Sequence, residues 1–382
     1  MRLRYNYRVY PNAIQRQALA QAFGCARVVW NDALSIRQDA YKQSLPAPSM
    51  VELARLVITE AKKTEGRSWL GEVSAVLLQS SLRDLGTAYS NFFASKKGTR
   101  KGPKIGPPRF KKKAGRQAVR FTKAARFSIT EDGALRLPKI GDVPVRWSRK
   151  LPSDPSSVTI VKDVTGRFFA SFVVETKSKP LPELDWQETD TGIDLGLSSY
   201  AVLRDRKIAS PKFFRRQEKK IRRAQRKLSR CQKGSSNRRK AQLAVAKIHA
   251  RITDQRRDFI EQETTRIVRE NQAVYVEDLN VKGMARGRFG KSVHDQSLGM
   301  FARTLEAKCA RYGRGFAKVS RWFPSTQLCS QCGALTGPKG VERLHIRHWV
   351  CDCGAKHDRD DNAEMNLRAE GRQLLAAGRA ER

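Results

Sequence analysis

The stretch Thr191-Gly-Ile-Asp-Leu-Gly196 is a short apolar strand that ends on an acid, Asp194. Two further segments repeat the device. Ala273-Val-Tyr-Val-Glu-Asp-Leu279 closes an apolar strand on Glu277, and His357-Asp-Arg-Asp-Asp-Asn-Ala363 sets Asp360 at the head of a helix. Acids at strand ends and at a helix head can converge on one point, where their charge is tolerable only if divalent cations bind there. Each segment alone has a plainer reading: a strand-end turn for Asp194, a structural ion pair for Glu277. Read together, and in this order along the chain, they predict a catalytic cluster. Gly196 would let a phosphate backbone approach, and the small Asn362 and Ala363 would let a helix pack tightly under the site.

Phosphodiester hydrolysis is the chemistry that needs such a set, because a water must be activated and charge on the leaving oxygen compensated. Two Mg²⁺ ions roughly 4 Å apart do both, and carboxylates are the hard oxygen ligands that hold them. Asp194 is expected to bridge the ions, with Glu277 and Asp360 each completing one coordination sphere. Asp278, Asp358 and Asp361 are expected in supporting or capping roles.

The composition names the partner. Lys and Arg number 76 against 37 Asp and Glu, for a net charge of +39 over 382 residues. That balance calls for a polyanion, and nucleic acid supplies one charge about every 1.7 Å of duplex. A membrane surface is the weaker alternative: no apolar run approaches the roughly 20 residues of a spanning helix, and Met1-Arg-Leu-Arg-Tyr-Asn lacks the apolar stretch of a signal peptide. A hydrophobic fraction of 40% fits folded domains, of which two to four are expected at this length.

Four of the seven cysteines cluster as Cys329-Ser-Gln-Cys332 and Cys351-Asp-Cys353. Paired cysteines with Gly333 and Gly354 after each pair are a zinc ribbon pattern, and a closed four-thiolate site would hold structure rather than catalyse. The second pair is CxC where CxxC is usual, which leaves His357 or His348 as alternatives to Cys353.

Alternation in Arg2-Leu-Arg-Tyr-Asn-Tyr-Arg-Val9 predicts a strand with one packed and one basic face. Asn12 with Gln15 and Ser49 with Glu52 are capping-box pairs, and Leu78, Leu82, Leu85, Tyr89 and Phe92 make a helical stripe, so residues 11–95 read as a helical module. Lys96 to Lys113 is basic, acid-free and broken by Pro and Gly: a linker or a phosphate-binding strap. Short strands between Arg126 and Val174 predict a small β-barrel or sandwich that the first strand joins. After Pro180-Leu-Pro182 the pattern turns mixed α/β: strands at 191–195, 199–204 and near 208, long helices, a strand at 273–277, a helix at 298–312, a strand at 315–320, and a last helix from about 361. That is the ribonuclease H-like order. Lys212 to Lys240 holds one acid, Glu218, among many cations; with Phe213, Ile221, Ala224 and Leu228 turned inward, the rest form a basic ridge for nucleic acid.

Gly192-Ile-Asp-Leu-Gly196, the basic helix ending in Lys233-Gly-Ser-Ser-Asn-Arg238, Val276-Glu-Asp-Leu279, Phe323-Pro-Ser-Thr-Gln-Leu-Cys-Ser-Gln-Cys-Gly333 and His357-Asp-Arg-Asp-Asp-Asn-Ala363 closely resemble the transposon-encoded TnpB family. Tyr10-Pro-Asn12, Arg27 with Asn31, and Pro108-Arg-Phe-Lys-Lys112 extend the resemblance over nearly the whole chain. It implies a multidomain α/β and β-barrel protein with a RuvC-type nuclease at 188–322 and 358–382 and a zinc ribbon at 323–357. A wedge barrel at 1–10 and 106–182 would be interrupted by a helical recognition insertion at 11–105. It further implies an RNA-guided DNA endonuclease related to type V CRISPR effectors. Its partners would be a guide RNA from the transposon end, one protein chain per RNA, and duplex target DNA bearing a short adjacent motif. A prokaryotic, cytoplasmic and nucleoid-associated location would follow. Asp194, Glu277 and Asp360 would take two Mg²⁺, and Cys329, Cys332, Cys351 and Cys353 one Zn²⁺. Nucleic acid is expected at Lys111, Lys112, Arg222, Arg223 and Arg226, with Gln79 reading the motif. The departures are Thr326 for Ser, the CxC pair and Glu364 for Ala. The alternative is a guided DNA-binding repressor that does not cut; a basic structural RNA-binding protein would leave the acids unexplained.

Overall fold

The computed structural model describes residues 1–177, 179–343 and 345–380, which form two compact units, residues 1–177 and residues 178–382, each with its own apolar core.

In the first unit β1 (Arg2–Val9) buries Tyr5, Tyr7 and Val9 and turns Arg2 and Arg4 outward. The chain then enters α1 (Ala13–Lys42) through a complete capping box, with Asn12 and Gln15 exchanging side-chain-to-backbone hydrogen bonds. Ser49 starts α2 (Met50–Ala54) by accepting from the Glu52 amide alone. Wider and tighter turns follow to Glu72 and lead to α3 (Ala75–Lys96), which buries Leu78, Leu82 and Leu85 as its stripe predicts. The buried Ser81 hydroxyl donates to the Ala26 carbonyl at 2.5 Å, locking α3 to α1.

Strands β2 (Gln117–Thr122), β3 (Ser128–Ile129), β4 (Leu135–Leu137), β5 (Gly141–Val143), β6 (Val145–Arg146), β7 (Pro155–Lys162) and β8 (Phe168–Glu175) complete this unit. The main sheet is antiparallel in the order β2-β7-β8-β1-β6, with β1 paired to β8 along its whole length. The first strand does join the later ones. The expected wedge barrel is not found as a closed barrel among the described residues. β6 spans only two residues, and β3-β4-β5 pair only with each other, so no continuous ladder runs round to the edge of β2.

The second unit opens with β9 (Asp190–Ile193), β10 (Ser199–Val202) and β11 (Lys207–Ala209), followed by α4 (Phe213–Arg230) and α5 (Ser236–Glu270). Next come β12 (Ala273–Glu277), α6 (Val281–Met284), α7 (Gly290–Gln296), α8 (Leu298–Tyr312) and β13 (Gly315–Val319). The hairpin β14 (His348–Val350) and β15 (Lys356–Asp358) precedes α9 (Arg359–Ala380). β12 lies between β13 and β9 and is parallel to both. A backbone bridge between Asp194 and Val202, 2.9 and 3.1 Å, connects β9 to the β10-β11 pair. The strand order is therefore β13-β12-β9-β10-β11. Among the described residues no helix is long and apolar enough to cross a membrane.

α9 packs across β9, β12 and β13, and glycines permit it. A Cβ on Gly192 would collide with the Glu364 carbonyl, and one on Gly371 would enter the Tyr275 ring. Arg372 adds a bidentate ion pair to the fully buried Asp190, 2.5 and 2.8 Å.

Candidate active site and metal centre

Ile193 and Val276 are register partners, so Asp194 and Glu277 follow side by side on parallel strands spaced about 4.8 Å. Asp360 arrives from the first turn of α9, where Asp358 caps the helix: its Oδ1 accepts the amides of Asp360 and Asp361, 2.9 and 3.0 Å. Asp194 feels the charge of Asp360, and Glu277 that of Asp194. Burial pushes the Asp194 carboxyl up to about 6, and the negative charge of Asp360 adds to it. Glu277 is pushed up to about 7 by burial, then by Asp194 and Asp278. Two carboxyls held above their ordinary range by desolvation and mutual repulsion are a set that a hard divalent cation would relieve. The residues present fit Mg²⁺ by donor chemistry.

Around them the cations are already placed. Arg347 Nη1 donates to both oxygens of Asp360, 2.9 and 3.1 Å, and its Nη2 donates to Ser198 Oγ at 3.0 Å. Arg321 pairs with Asp278; Lys207 pairs with Asp361 at 2.8 Å and Asp358 at 3.3 Å. Asp278, Asp358 and Asp361 together make one helix cap and three ion pairs. Gly196 has a local reason: a Cβ there would lie 2.9 Å from the Ser199 carbonyl oxygen in the β9–β10 turn.

Sequence reading missed Arg347 and undervalued Glu364. Arg347 sits in a loop with no pattern, far from Asp360's helix in periodicity. Glu364 is buried, its Oε1 accepts from the Gly192 amide at 2.9 Å, and Arg368 pairs with it at 3.3 Å. It holds α9 against the strand that carries Asp194. An acid one helical turn after Asp360 was the available signal.

The ribbon cysteines converge. The sulfurs of Cys329, Cys332, Cys351 and Cys353 all lie within 4.8 Å of one another, the one group of this tightness among the described residues. Gly333 (φ +76°) and Gly354 (φ +88°) adopt the left-handed conformation that turns each knuckle. The Thr336 hydroxyl, 3.1 Å from Cys351 Sγ, pulls that thiol down to about 6. Cys353 belongs to the group in spite of the CxC spacing. His357 is buried with Nε2 3.1 Å from Cys329 Sγ, whereas His348 is exposed. Asn362 and Asn366 each donate to the Leu328 carbonyl, 2.8 and 2.7 Å, and Asn362 accepts from the Ser330 amide. These asparagines join the cysteine-bearing segment to α9, a closer role than the small-residue packing expected of Asn362.

The expected nucleic-acid residues lie in both units. Gln79 is exposed on α3. Lys111 holds its ammonium 3.6 Å from the centre of the Trp30 ring, and desolvation lowers it to about 8; Lys112 is exposed. Asn31 accepts from the Lys111 amide at 2.8 Å, and Trp30 donates to the Arg109 carbonyl at 3.0 Å, so this part of the strap is docked on α1. On α4, Arg222 pairs with Glu218 at 3.1 Å, while Arg223 and Arg226 are exposed. The helix starts at Lys212 in a left-handed conformation without a side-chain cap of its own. Asp295 supplies the cap in trans, accepting from the Phe214 and Arg215 amides at 2.8 and 3.1 Å and from Arg256.

The architecture is a Cas12-like multidomain α/β fold. A cryo-EM structure of a Cas12f1–sgRNA–target DNA complex matches 93% of this chain and 83% of its own at a TM-score of 0.53, with 14% identity, which speaks to the fold. Residues 171–288 match a family described as "Probable transposase" and residues 299–367 one described as "Cas12f1-like, TNB domain". Residues 1–45 match "Helix-turn-helix domain", although here they form one strand and one long helix. A "Putative RNA-guided DNA endonuclease" of Streptomyces pristinaespiralis is 40% identical over 380 residues, 98% of this chain and 90% of the relative. InsQ of Escherichia coli K12, of the same description, is 26% identical over 98% of this chain and 93% of its own. The chain belongs to the TnpB family.

Proposed function

We propose that this chain is a transposon-encoded RNA-guided DNA endonuclease that hydrolyses target DNA at Asp194, Glu277 and Asp360. The observation that carries the reading is the pair of raised carboxyls on adjacent strands, with a third acid at the head of α9, in a chain of charge +39. A guided repressor has no use for such a costly cluster.

The strand order and the placement of the acids support a RuvC-type, ribonuclease H-like nuclease over 188–322 and 358–382. The gathered thiols support a zinc ribbon at 323–357, with one Zn²⁺ on Cys329, Cys332, Cys351 and Cys353. Residues 1–10 and 106–182 would grip the nucleic acid beside a recognition module at 11–105. Two Mg²⁺ on the three acids would supply an activated water and compensate charge on the leaving oxygen. The chain's own residues do the rest. Glu364 and Arg372 fix α9 on β9 and so set Asp360 opposite Asp194. Arg347 neutralises Asp360 while no cation does. The basic ridge and strap bind RNA backbone, and base pairing chooses the target.

The test is to purify the protein with its RNA, sequence that RNA, and offer a plasmid carrying the matching target beside a randomised flank. A defined scaffold with a variable 3′ segment, and Mg²⁺-dependent cutting beside one enriched flank motif, is the expected result. Asp194→Ala, Glu277→Ala and Asp360→Ala should each abolish cutting while target binding persists. Binding without cutting by the wild-type complex would overturn the nuclease reading in favour of a repressor.

A further inference from the structure

The turn that delivers Asp360 to the acid cluster also carries a side chain that touches the four-thiol group. In β15, Lys356 is exposed and Asp358 half-buried, and only His357 is buried. Its ring lies against Trp349, its register partner in β14, with centroids 4.5 Å apart. Its Nε2 is 3.1 Å from Cys329 Sγ. Asp360 follows in the next turn of chain. Between them Asp358 caps α9, and the Arg359 amide donates to the Arg347 carbonyl at 2.7 Å. Cys329 is fixed from both sides as well. The Leu328 carbonyl before it accepts from Asn362 and Asn366, and the Ser330 amide after it donates to Asn362 Oδ1 at 3.0 Å. The buried Cys329 sulfur and the Asp360 carboxylate are thus joined through one hydrogen-bonded turn, residues 357–362.

We propose that His357 is a positioning residue that couples the acid cluster to the thiol group, so that a cation on the acids and a zinc on the thiols bind cooperatively. The inference rests on the nuclease reading for the cation and on the gathered sulfurs for the zinc. A metal-bound thiolate has no proton, so Cys329 would only accept and His357 Nε2 would donate. Hydrogen bonds of this kind orient metal ligands. Here the donor shares its turn with Asp360, so the orientation passes both ways. A zinc would gather Cys329 against the other three sulfurs and hold His357, which leaves the head of α9 one position. Without zinc the thiols are free to part, and a cation arriving at the acids must order Asp360 by itself. Ordering done by whichever metal binds first eases the binding of the second. The coupling is reciprocal: whatever factor zinc adds to the affinity of the acids, a cation on the acids adds to the affinity for zinc. An ordinary packed histidine would leave each metal insensitive to the other.

The test uses the full chain purified with its RNA, and it reads metal retention rather than cutting. Zn²⁺ is withdrawn by a zinc-selective chelator buffer, with and without saturating Mg²⁺. In wild type the free-zinc level at half loss should be about tenfold lower with Mg²⁺ present. His357→Leu removes the donor and keeps every thiol; it should still hold one zinc per chain, with the Mg²⁺ effect reduced to less than about twofold. His357→Gln offers an amide N–H in place of the ring N–H and should restore most of the effect. Asp194→Asn, which lacks a ligand for the cation, should show none. A Mg²⁺ effect of full size in His357→Leu would overturn the proposal. Loss of zinc from both histidine variants would overturn it too, by making His357 a ligand. An absent Mg²⁺ effect in wild type would also overturn it, and calorimetry with Mn²⁺ then separates the causes. Mn²⁺ bound by wild type but not by Asp194→Asn would leave the acid site standing and remove only the coupling. No Mn²⁺ binding by wild type would sink the metal-dependent nuclease reading along with it.

Discussion

At the scale of single residues, the acids carry a cost that can be measured. Asp194 and Glu277 are raised to about 6 and about 7 from ordinary values of 3.8 and 4.5. The folded chain thus holds protons that the unfolded chain has already lost, so stability without metal falls as pH rises from about 4 through about 7. Holding one carboxyl about a pH unit above its ordinary value costs about 1.4 kcal/mol once it ionises. Asp194→Asn should therefore raise the midpoint of thermal unfolding at pH 8 in chelator and leave it little changed near pH 4. Adding Mg²⁺ should stabilise wild type at pH 8 and have no effect on this variant; equal stabilisation of both would remove Asp194 from the metal site. Arg347 holds the Asp360 carboxylate and would compete for it with a divalent cation. Arg347→Gln should bind Mn²⁺ more tightly than wild type in calorimetry of the metal-free protein, and weaker binding would show that Arg347 organises the site instead.

At the scale of elements, the site depends on how α9 lies on β9. Glu364→Ala leaves the buried Gly192 amide without its acceptor, a loss of about 1–3 kcal/mol, and loosens Asp360 relative to Asp194. Glu364→Gln keeps an acceptor and should restore both unfolding midpoint and cutting rate; failure of that rescue would mean that the Arg368 charge pair is what matters. The segment carrying the four cysteines is the second element held by α9. One Zn²⁺ per chain is expected by elemental analysis, lost in Cys353→Ser and kept in His348→Ala. Zinc retained in Cys353→Ser would pass the fourth position to His357.

At the scale of the molecule, a charge of +39 is a statement about partners, and the structure sorts which charges are free. Arg223→Glu with Arg226→Glu should flatten the salt dependence of guide-RNA affinity by about one unit of log–log slope for each phosphate that is no longer neutralised. Arg222→Glu should do less, because Glu218 already pairs with that residue. A slope unchanged from wild type in both variants would make the ridge a solvated face. Much of this was legible in the chain. Strand ends, helix starts and cysteine knuckles are local events, governed by apolar period, capping side chains and left-handed glycines, and from them Asp194, Glu277, Asp360 and the four thiols could be read as candidates. The barrel could not be, because closure depends on whether the last strand reaches the first, and a two-residue β6 fails to. Nor could Arg347 on Asp360, Asp295 on the head of α4 or Glu364 under Gly192. Those pairings join side chains that share no helix or strand period. The packing of α9 on the sheet, the packing of α7 against α4, and the β14–β15 hairpin that sets Arg347 opposite Arg359 bring them within hydrogen-bond reach.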